Sequence, residues 1–134
     1  MSKSKVATLE KAMEEIKDGM TIMVGGFLGT GTPDFIIDAI VAKGVKDLTL
    51  ICNDTAFVDK GSGKFVVNRM LKKAIVSHIG TNKETGNQML AGELEVVLTP
   101  QGTLAEQIRA GGMGIGGIYT ETGVGTDVAK GKET

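Results

Sequence analysis

In the N-terminal segment the apolar positions Leu9, Ala12, Met13 and Ile16 recur at helical spacing, with Thr8 placed to cap the first turn and Gly19 just past the end. A short β-favouring run, Thr21 to Val24, follows and stops at two glycines. The stretch GGFLGTGT then leads to Pro33, where Thr32 can cap and proline suits a first helical turn. The apolar-rich DFIIDAIVAK predicts a helix, with Gly44 as its terminator. Leu48 to Cys52 is a second strand. Strand, loop, helix and strand in this order make a βαβ unit, and such units are almost always right-handed with parallel strands.

Downstream the pattern loosens. Asn53 to Met70 is polar and punctuated by glycine, with Phe65, Val66 and Val67 as a local apolar cluster, and reads as a loop holding one helical turn. Ala74 to Ile79 predicts a third strand and Glu93 to Thr99 a fourth, separated by a turn-rich segment with a weak helical turn at Gln88 to Leu90. Thr103 and Glu106 stand in capping-box spacing at the start of a short helix that Gly111 is expected to end. Beyond it, glycines are too frequent for a regular element. No repeat, charge block or low-complexity linker divides the chain, so residues 1–134 are expected to form one α/β domain, an open, mostly parallel sheet with flanking helices. Four strands are few for this class, which points to an incomplete sheet.

Composition changes this picture mainly by exclusion. With 15 basic and 16 acidic residues the formal net charge is -1, so no overall field favours nucleic acid or an anionic membrane. One cysteine cannot form an internal disulfide, and one cysteine with one histidine cannot assemble the usual zinc ligand sets. No apolar run approaches the roughly 20 residues needed to cross a bilayer, and the charged N-terminus is not patterned as a signal peptide. The cytoplasm is the expected compartment. Glycine, at 20 of 134 residues, is about twice its usual frequency, and much of it falls where predicted strands end.

That placement carries the candidate chemistry. In an open α/β sheet ligands bind outside the carboxyl ends of the strands, where a helix N-terminus offers free N–H groups to an anion. Gly25, Gly26, Gly29 and Gly31 would let backbone approach such a ligand, or would simply make a tight turn. GGFLGTG does not have the spacing of a dinucleotide loop and lacks the ending of a P-loop. Gln101 lies between a strand end and a helix start; its side-chain amide can cap the turn or donate to an oxyanion developing at a carbonyl. Asn53 and Asp54 follow the second strand and read equally as site residues or turn formers. Ser77 and His78 are adjacent on a strand and so point to opposite faces, which argues against a dyad. Cys52 reads as a buried small hydrophobe, and Lys64 and Arg109 could meet a phosphate or carboxylate, with solvated surface cations as the default. The residues alone therefore yield a ligand-binding α/β domain without an evident nucleophile or base.

The segment Asp18 to Pro33, DGMTIMVGGFLGTGTP, resembles the first signature of the family I coenzyme A transferases. The likeness continues through LTLICNDTAFVDKGSGKFVVN and SHIGTNKETG and closes with LTPQGTLAEQIRAGGMGIGGIYTETGVGT. Within the family the sequence is similar to A (alpha) subunits. The resemblance implies an enzyme that moves coenzyme A, as substrate, between short-chain acyl-CoA and carboxylates such as acetoacetate, acetate or butyrate. It implies a glutamate nucleophile on a B (beta) subunit, passing through a mixed anhydride and a glutamyl-CoA thioester, and an A2B2 heterotetramer. Carried over by position, Val24, Gly25, Gly26, Phe27, Leu28, Gly29 and Thr30 match the CoA-binding segment, and Gln101 matches the oxyanion-hole glutamine. The family pattern continues past residue 134, so the chain is expected to be the N-terminal portion of an alpha-subunit domain. A non-catalytic CoA-binding or assembly module of the same fold is the alternative. A sugar-phosphate isomerase of related topology would want acid/base residues near the glycine loop, and none is evident.

Overall fold

A computed structural model describes residues 5–132. Four strands, β1 (Thr21–Met23), β2 (Leu48–Ile51), β3 (Leu71–Val76) and β4 (Glu95–Leu98), form one sheet in the order β1-β2-β3-β4, with every pair parallel. The helices are α1 (Leu9–Glu14), α2 (Asp34–Lys43), α3 (Gly63–Val67), α4 (Lys83–Leu90) and α5 (Gln101–Met113), followed by a 3-10 turn at Asp127–Ala129. Strands that follow one another in sequence and space, joined by right-handed crossovers, place their connecting helices on one face of the sheet. In agreement, α1 packs on α2, α2 on α3 and α3 on α4.

Register decides which side chains meet that helical layer. Ile22, Leu50, Ala74 and Val96 form one row across the sheet, and Met23, Ile51, Ile75 and Val97 form the next. Leu50 and Ala74 are fully buried with Ile37 and Ile40 of α2 and Phe65 and Val66 of α3. Each large apolar side chain buried there contributes about 1.5–3 kcal/mol. The second row points to the other face, where Met23 is 60% exposed.

Local signals act where expected at several ends. Thr8 Oγ1 accepts a hydrogen bond from the Lys11 N–H, and Gly44 closes α2 in the left-handed conformation. Other expectations need correction. Thr32 does not cap α2: Pro33 is the N-cap residue, and the Thr32 hydroxyl donates to the Gly29 carbonyl instead. The third strand begins at Leu71 and ends at Val76, three residues earlier than the apolar run suggested, and the weak turn near Gln88 is a full helix, α4. Helix α5 starts at Gln101 and runs through Gly111 to a left-handed cap at Gly114, so neither the capping box at Thr103 nor the stop at Gly111 forms.

Candidate active site at the carboxyl edge of the sheet

Because all strands are parallel, the segments after β1, β2, β3 and β4 emerge at the same edge. After β1, the Val24 N–H donates to the Ile51 carbonyl (3.0 Å), extending the pairing before the chain turns. Phe27 and Thr30 then exchange N–H donations at 3.0 and 2.9 Å. The two residues between them, Leu28 (φ 51) and Gly29 (φ 79), are both left-handed, as a type I′ turn requires. Glycine adopts that conformation freely, whereas leucine there costs about 1–2 kcal/mol. Gly26 (φ 114) allows the loop to close on itself, since a Cβ would lie 2.5 Å from Thr32 Cγ2 and 2.9 Å from the Thr30 carbonyl oxygen.

The strained tip is held by Asp54, just past β2. Its buried carboxylate accepts from the Leu28 N–H (2.9 Å, Oδ2) and from the Ala56 N–H (2.6 Å, Oδ1). On the other side, the Ser77 hydroxyl lies 2.7 Å from both the Asn53 carbonyl oxygen and Gln101 Oε1, its single proton shared between them. Gln101 Nε2 donates to Asn53 Oδ1 (3.3 Å), and the side chain stays at the surface. The structure thus brings the 24–30 loop, Asn53, Asp54, Ser77 and Gln101 to one edge. Sequence reading placed the loop, Gln101, Asn53 and Asp54 there and left open whether Asn53 and Asp54 are site residues or turn formers. It missed Ser77 as a partner of Gln101, because the expected third strand, Ala74 to Ile79, put Ser77 inside the strand and the observed one ends at Val76, just before it.

Other candidates fall away. Ser77 makes no hydrogen bond to the exposed His78, whose ring lies against Gly80. Burial pushes the Cys52 thiol up to about 12, with its Sγ donating to the Asp54 carbonyl (2.8 Å). Lys64 pairs with Asp38 (2.6 Å) and Asp34 (3.6 Å), and Arg109 with Glu106 (2.7 Å). Asp34 also accepts from the Gly61 N–H (3.2 Å), so the first turn of α2 carries its own anion. A cleft of about 1180 Å³ lies between α5 and the C-terminal segment, lined by Pro100, Thr103, Ile115 and Tyr119 among others; neither Gln101 nor any residue of 24–30 lines it. Among the described residues no cluster of His, Cys, Asp or Glu could hold a metal ion, and no helix is long and apolar enough to cross a membrane.

A sequence model of the coenzyme A transferases matches residues 6–134. The chain belongs to the coenzyme A transferase family. It is 60% identical over 132 residues to the acetate CoA-transferase subunit alpha of Escherichia coli K12, covering 98% of this chain and 60% of that one. It is 52% identical over 130 residues to the acetoacetyl-CoA:acetate/butyrate CoA transferase alpha subunit of Clostridium acetobutylicum, covering 97% and 60%. The chain therefore spans 60% of the length of these two transferase subunits. The fold matches a crystal structure of an acyl-CoA transferase from Escherichia coli O157:H7 with a TM-score of 0.75 at 23% identity, covering 90% of this chain and 25% of that one. A thioester complex of that transferase with CoA gives 0.76 at 22% identity, covering 89% and 25%. At such identities the likeness speaks for the fold alone.

Proposed function

We propose that this chain is the N-terminal portion of a coenzyme A transferase alpha-subunit domain. With a B subunit, in an A2B2 assembly, it would move coenzyme A between a short-chain acyl-CoA and acetoacetate, acetate or butyrate. The observation that carries this reading is the family match across residues 6–134, with the glycine loop and the Gln101 amide meeting at one sheet edge. The names of the relatives as alpha subunits support the need for a partner chain. The cytoplasmic setting expected from the sequence belongs to the same proposal.

In this reading a glutamate carboxylate of the B subunit attacks the thioester carbonyl, forming a mixed anhydride and releasing the CoA thiolate. The thiolate attacks the glutamyl carbonyl, the donor carboxylate leaves, and a glutamyl-CoA thioester remains. The acceptor carboxylate then attacks that thioester, and the two steps run in reverse. This chain supplies binding and electrostatics. Residues 24–30 hold coenzyme A, with Gly25 open to solvent and no neighbour within 4 Å of a Cβ there. Gln101 Nε2 has one hydrogen on Asn53 and a second to donate to the oxyanion of each tetrahedral intermediate.

The test is reconstitution. The alpha chain alone is expected to show no CoA transfer and no borohydride-sensitive glutamyl-CoA adduct, and activity should appear when the B subunit is added. In the complex, Gln101→Ala should lower kcat by about 10² or more, the effect of losing one oxyanion donor. An adduct on the isolated chain, or an unchanged kcat, would overturn the assignment. A second reading, a non-catalytic CoA-binding or assembly module, draws on the lack of an activated nucleophile among the described residues at this edge; it predicts CoA binding without activity in the reconstituted mixture.

A further inference from the structure

We propose that Asn53 and Asp54 are paired positioning residues: Asp54 holds the tip of the 24–30 loop through the Leu28 N–H, and Asn53 orients the side-chain amide of Gln101. The inference rests on the reading of the loop and Gln101 given above and adds the device that fixes the two relative to each other.

Asp54 is 3% exposed, yet both carboxylate oxygens are occupied, each by a backbone N–H. Both belong to non-glycine residues held at positive φ, Leu28 (φ 51) in the loop and Ala56 (φ 46) two residues past Asp54. Anchoring the Leu28 N–H selects the turn over relaxed alternatives in which leucine would return to negative φ. Asp54 is itself immobilised, because its main-chain carbonyl accepts from Cys52 Sγ (2.8 Å) and Ser62 Oγ (3.0 Å), and its backbone bridges to His78 in parallel register.

The preceding residue faces the other way, as successive residues on extended backbone do. The Asn53 carbonyl accepts from the Ser77 N–H (2.9 Å) and shares the Ser77 hydroxyl proton with Gln101 Oε1 (2.7 Å to each). Its Oδ1 accepts from Gln101 Nε2. With Oε1 on Ser77 and one Nε2 hydrogen on Asn53, the Gln101 amide is held against rotation and its remaining hydrogen keeps one direction. Two adjacent residues at the end of β2 thus reach the segment after β1 on one side and α5 on the other.

The two arms separate kinetically. In the full-length protein assembled with its partner subunit and assayed with butyryl-CoA and acetate, Asp54→Asn replaces one acceptor oxygen by a donor facing an N–H. It should raise KM for butyryl-CoA about tenfold or more with kcat within about threefold of wild type. Asn53→Ala should do the reverse, lowering kcat about tenfold with KM nearly unchanged, and Asn53→Asp, which keeps an acceptor, should recover most of that loss.

Hydrogen exchange tests the Asp54 arm without coenzyme A. The Leu28 amide is expected to be protected in the wild type and unprotected in Asp54→Asn, while Leu50 and Val76 stay protected in both. A Leu28 amide that exchanges like free loop in the wild type overturns the proposal even where Asp54→Asn fails to fold. Loss of protection throughout the core, or the same kinetic parameter changing in both variants, also overturns it. If the wild-type complex transfers no coenzyme A, the functional reading fails while the Leu28 measurement still decides the anchor.

Discussion

Leu28 and Gly26 show how much of the loop is decided by single residues. Leu28 occupies a conformation that suits glycine and is kept there by a carboxylate 26 positions further along the chain. Gly26 has no room for a side chain, whereas Gly25 has nothing within 4 Å of a built Cβ. Gly26→Ala should therefore lower stability by about 1–3 kcal/mol. Gly25→Ala should leave the melting temperature unchanged and weaken CoA binding, since only the bound ligand would meet the new methyl. Thermal melts and a CoA titration on both variants separate the two effects. Cys52 gives a pH-dependent case. Its thiol is raised by burial from 9.0 to about 12. Below pH 9 both folded and unfolded thiols are protonated, so the group does not alter stability. From pH 9 to about 12 only the unfolded thiol ionises, and stability falls by about 1.4 kcal/mol per pH unit from this group. Melts of wild type and Cys52→Ala against pH should differ in slope over that window and run parallel below it.

Helix α4 is the element that sequence reading understated, and its packing explains why. The side chains it buries are Thr85 and Gln88, so no stripe of aliphatic residues marks its buried face in the sequence. The Thr85 hydroxyl donates to Thr55 Oγ1 (2.8 Å), Gln88 Nε2 donates to the Val66 carbonyl (2.9 Å), and the Asn82 cap donates to the Thr55 carbonyl (2.9 Å). Such a polar interface is favourable only when every group is paired. Thr85→Val should cost about 1–3 kcal/mol, because it strands the buried Thr55 hydroxyl. The double variant Thr55→Val with Thr85→Val should be less destabilised than the sum of the two single variants, measured by denaturant unfolding as a double-mutant cycle. Strand β3 was displaced for a related reason: Lys72 and Lys73 interrupt the apolar run, yet Lys73 pairs across the sheet with Glu95 (2.8 Å) and belongs to the strand. In α5, the helix carries on through Gly111 and stops at Gly114, the glycine that takes the left-handed cap.

At the scale of the whole molecule, strand order makes the site. Four parallel strands in sequence order bring every following segment to one edge, so the loop after β1, Asn53 and Asp54 after β2, Ser77 after β3 and Gln101 after β4 become neighbours. The same order puts α1 to α4 in one layer and leaves the row of Met23, Ile51, Ile75 and Val97 on the opposite face. The sequence by itself determined what depends on near neighbours: the βαβ start, the Thr8 cap, the Gly44 stop, the glycine loop and, through its motifs, the family. Those signals act within a turn or two of chain, where spacing is already distance. Only the tertiary structure decided the polar packing of α4, the anchoring of Leu28 by Asp54, and the clasp of Asn53 and Ser77 on Gln101. Each of these rests on hydrogen bonds between residues far apart in the chain, whose energy depends on burial and direction, and none exists until the sheet has formed.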